Sequence, residues 1–488
     1  MTTSTRIDRP DNGSGRPGAG AVGTEARSGT GRRSTVADLC AVAAAAVLLA
    51  AAALVGRAYD DSAGTLRLRW PPLYAYWMPH AGPGTVLAPA VAVLVIAYGP
   101  RLAGALPWRA LLPAAWAGGM AWSWSLTLVD GWHRGVATRL TTGYEYLQSV
   151  GDVDDIGATL RGFTARILMG APDNWPPHVA GHPPAALLTF VGLDRIGLGG
   201  GVWATVFVIT AGSSAVAAVL VTVRSLVSEQ AARSCAPFVV LAPAVVWTGV
   251  SADGYFTAVS AWALALLALS ATRSVRAPAC AALGSGLLFG LTCYLSYGLI
   301  LMGFLALAVL VAARAVRPVP LVLLGMAPWF VLFTAAGFWW FEGWSTLVER
   351  YYQGAAAVRP YSYFVWANLA AQTAVAGPAV VASLRRAGAA AIAHRAGRNR
   401  GGSGAAGVEG TGPAARAALL LLVAGGVCCV LAADLSGMSK GETERIWLPF
   451  TLWLLPATAL LPQCGRRWWL GAQAVTALTV NHLLITGW

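Results

Sequence analysis

The chain has 488 residues, of which 57% are hydrophobic and only 11% are charged. A soluble globular protein carries about 25% charged residues, so this composition argues against a water-soluble fold and favours a polytopic membrane protein. The formal net charge of +13 does not indicate nucleic-acid binding, because the arginines are spread over short loops between apolar segments, as in positively charged cytoplasmic loops.

The chain begins with a polar segment. Residues 1–34 are rich in Gly, Ser, Thr, Arg and Pro, which predicts a disordered cytoplasmic tail because such a composition cannot bury a core. The first apolar segment, residues 36–56, is long enough to cross the hydrocarbon core of a bilayer. It is predicted to be an uncleaved signal-anchor, so the N-terminus is predicted to be cytoplasmic.

Apolar segments then recur to the C-terminus and predict about thirteen transmembrane helices. They lie at about 36–56, 84–100, 110–129, 202–223, 236–250, 255–271, 279–296, 297–313, 319–340, 364–384, 415–434, 446–462 and 468–486. We expect a main bundle over 35–384, a flexible cytoplasmic linker over 385–416, and C-terminal transmembrane helices over 417–488. The predicted location is the plasma or inner membrane, with several passes.

One apolar segment, residues 185–197, is too short to cross the bilayer, and a full crossing would reverse the charge pattern that follows it. It is predicted to be a half-helix on the outer side. Broken backbone at membrane depth survives only inside protein or beside a wet cavity, so the segment indicates a binding site. The expected fold class is an all-α polytopic membrane protein with this half-helix and an outer loop that contains short helices.

The predicted outer loop 130–184 holds most of the acidic side chains that could support chemistry. These are Asp130, Glu145, Asp152, Asp154 and Asp155. Glu145 is an isolated acid between Tyr144 and Tyr146, an aromatic setting suited to a sugar. The acids Asp152, Asp154 and Asp155 also fit a solvated turn that caps a helix beginning near Ile156.

The same loop ends with His182-Pro183-Pro184. Proline is favoured at the first position of a helix, so the motif predicts a helix start. A helix N-terminus offers free N–H groups and a positive dipole end, and a neighbouring imidazole can add a donor, which favours a phosphate ligand. The alternative is that His182 only caps the turn.

Three segments together resemble the integral-membrane glycosyltransferases of the GT-C fold, in particular the protein O-mannosyltransferases and the lipid A aminoarabinose transferases. They are Trp175-Pro-Pro-His followed by His182-Pro-Pro, Ser251-Ala-Asp-Gly-Tyr255 between two spans, and Glu444-Arg-Ile-Trp-Leu-Pro449 near an outer helix start. The family's adjacent Asp-Glu pair is absent, and Ile446 replaces a Tyr. The resemblance implies a GT-C-like bundle.

The resemblance also implies transfer of a sugar from a polyprenyl-phosphate donor to a glycan, lipid or protein acceptor at the outer face. An outer-loop carboxylate would take the proton of the acceptor hydroxyl, and cations would hold the leaving phosphate. The candidate bases are Glu145, Asp154, Asp155, Asp152 and Asp130. The candidate phosphate or lipid ligands are His182, Arg166, Lys440 and Arg445, and the candidate substrate contacts are His178, Trp175, Tyr144, Tyr146, Asp253 and Tyr351.

The sequence indicates no certain cofactor. His178 and His182 could join a divalent metal site, but Pro183 argues against a shared helical face, so no metal ligand is assigned. The expected partners are the lipid-linked donor, the acceptor and the bilayer, without nucleic acid. A transporter or lipid-carrier flippase is the alternative function; carriers usually bury charges in mid-span, whereas the predicted spans here are almost free of charge.

Overall fold

The computed structural model describes residues 2, 19–249, 251–395 and 412–486, and these are almost entirely helical. The first helices are α1 (Ala19–Ala63), α2 (Gly84–Ala105), α3 (Trp108–Thr127), α4 (Ile156–Gly162), α5 (Pro177–Ala180), α6 (Pro184–Arg195), α7 (Gly200–Ser213), α8 (Ala215–Leu226), α9 (Glu229–Val240) and α10 (Asp253–Ala271). The others are α11 (Pro278–Leu295), α12 (Met302–Ala313), α13 (Val319–Ala335), α14 (Trp340–Gln353), α15 (Tyr361–Ala376), α16 (Pro378–Arg395), α17 (Pro413–Leu435), α18 (Thr443–Ile446), α19 (Leu448–Thr451) and α20 (Arg466–Leu483). The expectation of an all-α polytopic fold is confirmed.

The described helices contain fewer continuous spans than the thirteen predicted. By length and composition, six could cross a membrane, and up to eight if two bent pairs each form one span: α13 with α14, bent by 73°, and α15 with α16, bent by 110°. Prolines account for part of the difference, since they remove a helical hydrogen bond. The predicted span 236–250 divides between α9 and a 3-10 turn at Pro243–Trp247, and 446–462 divides into short helices and the 3-10 segment Leu452–Leu460.

Two segments predicted to be flexible are partly helical. Helix α1 begins at Ala19, inside the predicted tail, and α16 continues to Arg395, inside the predicted linker. Residues 3–18 and 396–411 of these predictions lie outside the described residues. Asp38 of α1 is buried and pairs with Arg385 at 2.7 Å and Arg386 at 2.5 Å in α16. These two ion pairs fix α1 to α16, because a buried carboxylate is stable only with a partner.

The predicted half-helix is α6. Its 12 residues span about 18 Å at 1.5 Å per residue, which is short of the roughly 30 Å hydrocarbon core. Short helices and 3-10 turns fill the loop that precedes it, including α4 and α5. Both features were expected from the sequence and are confirmed.

Close helix packing holds the bundle together. Helix α10 lies in its centre, in contact with α7, α8, α11 and α12. Helices α11 and α13 approach through glycines, because a Cβ on Gly286 would come within 2.8 Å of the Cα of Gly325, as small residues allow in membrane bundles. Strand β1 (Ala75–Trp77) pairs antiparallel with β2 (Leu484–Thr486), which joins the segment after α1 to the C-terminal end of the described chain.

Candidate active site

A cavity of about 1120 Å³ opens at the end of the bundle that carries the loop 130–184. This is slightly above the usual size range of small-molecule sites, which is about 300–1,000 Å³. Its wall is built from the α5–α6 turn, the start of α10, residues 296–301, helix α14 with the chain that follows it, and residues 432–450. Five segments distant in sequence therefore meet at one site.

A chain of buried charged and polar groups forms one wall of this cavity. His178 Nδ1 lies 3.1 Å from Glu145 Oε2, and His178 Nε2 lies 3.4 Å from Arg445 Nη2. Arg445 Nη1 donates to Asp253 Oδ2 at 2.6 Å. All four side chains are at most 5% exposed, so their charges interact in a medium far less polar than water.

These contacts define the protonation of His178. Its Nδ1 donates to the carboxylate of Glu145, whereas a guanidinium can only donate, so Nε2 accepts from Arg445. This assignment of the tautomer places the ring proton on Nδ1 and the acceptor lone pair on Nε2. Oε1 of Glu145 finds no hydrogen-bond partner among the described residues, and such a buried orphan oxygen is costly. Such a group calls for an explanation, and a role in the chemistry of the site is one.

Local sequence positions this wall. Pro177 starts the four-residue helix α5, and the backbone N–H of His178 donates to the Tyr144 carbonyl at 3.1 Å. Tyr146 stacks on Phe190 of α6 with ring centroids 5.4 Å apart. The residues on either side of Glu145 are thus fixed, one by a backbone hydrogen bond and one by an aromatic contact.

His182 faces the cavity as a neutral group. Burial lowers its pKa to about 4; the charge of Asp253 acts to raise the pKa and that of Arg445 acts to lower it. Its Nδ1 donates to the His178 carbonyl at 2.8 Å, and its ring packs edge-on against Tyr146 at 5.7 Å. At neutral pH the cations of the cavity are consequently the arginines.

The cavity lining is cationic. It includes Arg67, Arg350, Arg359 and Arg445 against the two acids Asp253 and Glu442, a net charge of +2 when the histidines are neutral. Burial acts to lower the pKa of Arg445, but the carboxylates of Asp253, Glu442 and Glu145 outweigh it and raise the pKa. Arg359 is held by the carbonyls of Leu66 at 2.8 Å and Lys440 at 2.7 Å.

The turn between α17 and α18 carries one of these charges, Glu442, and has an unusual backbone. Gly441 has φ +95° and Glu442 has φ +65°; the left-handed region costs a non-glycine residue about 1 kcal/mol or more. Helix α15 holds the turn from behind, where Asn368 donates to the Ser439 carbonyl at 2.5 Å and Gln372 to that of Thr443 at 3.1 Å. The turn is thus fixed on both sides of its strained residue.

Glu444, two residues further on, links the turn to the segment after α1. Its Oε1 accepts from the backbone N–H of Tyr74 at 2.7 Å. Burial raises the pKa of Glu444 to about 7, although the hydrogen bond from Tyr74 opposes the shift. Tyr74 itself lines the cavity, so this buried carboxyl positions part of the wall.

Six of the residues proposed from the sequence line the cavity. They are Tyr144, His178, His182, Asp253, Tyr351 and Arg445. Glu145 and Tyr146 lie directly behind His178 and His182. Lys440 neighbours the site: its backbone N–H donates to the Tyr351 hydroxyl at 2.9 Å and its Nζ to the Ala356 carbonyl at 2.9 Å.

The other proposed residues are not brought to the cavity. Asp152 and Asp154 are exposed, and Asp155 caps α4 by accepting from the N–H groups of Gly157 at 2.7 Å and Ala158 at 3.2 Å. This is the capping arrangement that the sequence left open as an alternative.

Arg166, Trp175 and Asp130 were also proposed from the sequence, and each has a structural partner outside the cavity. Arg166 lies 3.5 Å from the ring centre of Trp175, which is fully buried and donates to the Phe163 carbonyl at 3.0 Å. Asp130 pairs with His80 at 2.6 Å.

Sequence reasoning did not select Arg359 or Glu442 as site residues. Arg359 lies in an aromatic segment that resembles a membrane-interface belt, and Glu442 lies in a charge cluster that resembles a solvated loop. The one available signal was the density of charge from Lys440 to Arg445 in a chain with 11% charged residues. No group of three or more metal-ligating side chains with suitable placement occurs in the described ranges, and Asp253 is already engaged by Arg445.

Comparison with known proteins yields one structural likeness. No protein-family model matches the sequence, and no curated protein is significantly similar to it. A crystal structure of the Archaeoglobus fulgidus oligosaccharyltransferase, a complex with Zn and sulfate, is similar over 76% of this chain and 53% of its own length, with 13% identity and a TM-score of 0.41. This chain thus spans about half of that protein, and the similarity is too low to transfer the function of that enzyme.

Proposed function

We propose that the protein is a membrane glycosyltransferase that moves a sugar from a polyprenyl-phosphate donor to an acceptor hydroxyl at the outer face of the membrane. One observation carries the proposal: a net cationic cavity directly adjoins the buried Glu145–His178 pair. Cations suit a leaving phosphate, and a paired imidazole suits proton removal. Glycosyl transfer from a lipid phosphate requires both.

Arg359 and Arg445 are the proposed phosphate ligands. The bond between the anomeric carbon and the phosphate oxygen breaks in the reaction, and the negative charge that collects on the phosphate is stabilised by fixed cations in a site of low polarity. Asp253 holds Arg445 at 2.6 Å, which orients the guanidinium before the substrate binds. His182, proposed from the sequence for this role, is neutral here and is better suited to accept a hydrogen bond.

His178 is the proposed proton acceptor, and Glu145 is its positioning residue. In the free protein Nε2 of His178 accepts from Arg445 at 3.4 Å. When Arg445 turns to the donor phosphate, this nitrogen takes the proton of the acceptor hydroxyl as the hydroxyl oxygen bonds to the anomeric carbon, and Glu145 stabilises the resulting imidazolium through Nδ1. Among the acids proposed from the sequence, Glu145 therefore has the strongest support. Asp152, Asp154 and Asp155 do not line the cavity.

An apolar wall supports a lipid-linked donor. Leu299, Ile300 and Leu301 line the cavity, and Ile300 is 58% exposed, as are in part Phe304 and Leu307, one and two helical turns further along the chain. An apolar surface that runs from the cavity to the bilayer suits a polyprenyl chain, since burial of each CH₂ contributes about 0.8 kcal/mol.

The test is transfer by the purified full-length protein in liposomes that contain radiolabelled polyprenyl-phosphate sugar and acceptor glycan. We expect Glu145→Gln to lower transfer severely, though less than the loss of His178 itself, without unfolding the protein. The matched control is Asp154→Asn, which removes a carboxylate from the same loop outside the cavity and should leave transfer intact. Lipid movement without a new glycosidic bond would instead identify a flippase, and full activity of Glu145→Gln would refute the positioning role of Glu145.

A further inference from the structure

Glu442 makes two loose ion pairs inside the cavity. Its Oε1 lies 3.9 Å from Arg359 Nη1 and its Oε2 lies 3.5 Å from Arg445 Nη2. Both distances exceed the roughly 2.8 Å of a strong charge-assisted hydrogen bond, whereas Arg445 and Asp253 meet at 2.6 Å. One carboxylate thus bridges two guanidinium groups without binding either tightly.

The backbone holds this carboxylate in the cavity despite strain. Glu442 has φ +65° directly after Gly441 at φ +95°, a conformation that favours glycine. A strained residue that persists in a site indicates a role for its side chain. The residues on either side are anchored by Asn368 and Gln372, so the side chain of Glu442 is the part of the turn that can move.

The surroundings are those of an anion site. Burial lowers the pKa of Lys440, and repulsion from the nearby positive charge of Arg359 lowers it further. Asp253 neutralises one face of Arg445. Without Glu442, Arg359 and Arg445 would present a net positive charge toward the cavity, the arrangement that binds a phosphate.

We propose that Glu442 fills the phosphate position between Arg359 and Arg445 in the free protein and competes there with the lipid phosphate of the substrate. This inference rests on the proposed function and adds to it a residue that sets phosphate affinity. The carboxylate swings aside when the phosphate binds and returns as the lipid phosphate product leaves. Glu442 thereby prevents tight retention of the product.

The test measures binding of a long-chain polyprenyl monophosphate to the full-length protein in detergent, with the corresponding polyprenyl alcohol as the ligand without phosphate. We expect Glu442→Gln to bind the monophosphate about tenfold more tightly than the wild type, the equivalent of about 1.4 kcal/mol, since a competing ion-pair partner is removed. Binding of the alcohol should not change. The matched control is Glu349→Gln, which alters an exposed acid of α14 outside the cavity lining.

A second variant guards against a folding defect. Glu442→Gly removes the carboxylate and also relieves the left-handed strain, because glycine adopts positive φ freely, and it should tighten binding in the same way. Unchanged or weaker monophosphate binding by both variants would overturn the inference and make Glu442 a brace for the arginines. Failure of the wild type and all variants to bind the monophosphate would refute the proposed donor, and this inference with it.

Discussion

Two histidine–carboxylate pairs involve the loop 130–184, and they differ in what their second imidazole nitrogen meets. In the Asp130 pair, His80 Nε2 contacts the carboxylate at 2.6 Å and Nδ1 contacts the Met78 carbonyl at 2.8 Å. Both neighbours are acceptors, so both ring nitrogens donate and the imidazole is charged. The hydrogen bond to Asp130 raises the pKa of His80 despite burial. In the Glu145 pair, the second nitrogen of His178 meets the donor Arg445.

The difference separates a structural pair from a chemical one. The backbone N–H of His80 donates to the His482 carbonyl at 2.9 Å, which joins the segment after β1 to α20. His80 does not line the cavity. His178 lines the cavity with a lone pair on the ring. A carboxylate beside a histidine is therefore not enough to identify a base; the partner of the other nitrogen decides.

The largest expected effect concerns transfer by His178→Gln. Loss of a general base lowers rates by about 100-fold to 10,000-fold, so transfer measured in liposomes should fall by at least about 100-fold. His80→Gln serves as the matched control, because it breaks the other pair away from the cavity, and it should retain most of the activity. Equal losses in the two variants would remove the distinction between the pairs.

The next effect concerns the arginine beside each pair. Arg445 is 4% exposed, and Arg445→Gln leaves the carboxylate of Asp253 buried without its charge partner, which should lower the free energy of unfolding by about 3–5 kcal/mol. Arg134 lies 3.6 Å from Asp130 and its side chain is 36% exposed, so Arg134→Gln should cost less than about 1 kcal/mol. Denaturant titration of the two variants in detergent measures the difference, and similar losses would contradict the contrast in burial.

The third effect is a pH dependence specific to the Asp130 pair. The pKa of His80 is raised in the folded protein, so the pair contributes its full stability below the unfolded-state value of about 6.5 and loses it as the pH rises through the folded-state pKa. His80→Gln should therefore cost about 1–2 kcal/mol at pH 5.5 and less at pH 9. Thermal melts of both proteins at the two pH values measure this, and a cost that grows with pH would show that the ring is neutral when folded.

Sequence reasoning predicted the half-helix, the short helices of the loop and the cavity residues near Pro183 and Pro184, because these features depend on local patterns. Length and apolar composition identify α6, and the double proline Pro183-Pro184 marks its start. It did not separate Glu145 from the acidic turn at Asp152, since the burial of Glu145 depends on its contact with His178 and on the stacking of its neighbour Tyr146 on Phe190.

The remaining contacts of the site join segments far apart in the chain. Glu145 and Arg445 are brought to the same histidine, and Glu442 and Arg359 are brought together across the cavity. No local pattern encodes such pairs, because they form only when the helices between them pack. The helix count differed from the prediction for a related reason: hydropathy does not indicate where prolines interrupt an apolar segment.

The smallest expected effect sharpens the comparison with a third carboxylate of the same loop. Asp155 accepts from two N–H groups at the start of α4 and has no histidine partner, so it acts as a helix cap. Asp155→Ala should lower the free energy of unfolding by about 1 kcal/mol, and Asp155→Asn, which keeps a capping oxygen, should restore most of it. Transfer should be unaffected in both. A loss of transfer in Asp155→Asn at wild-type stability would mean that the charge of this acid takes part in the reaction, and that exposure outside the cavity does not exclude a carboxylate from the chemistry.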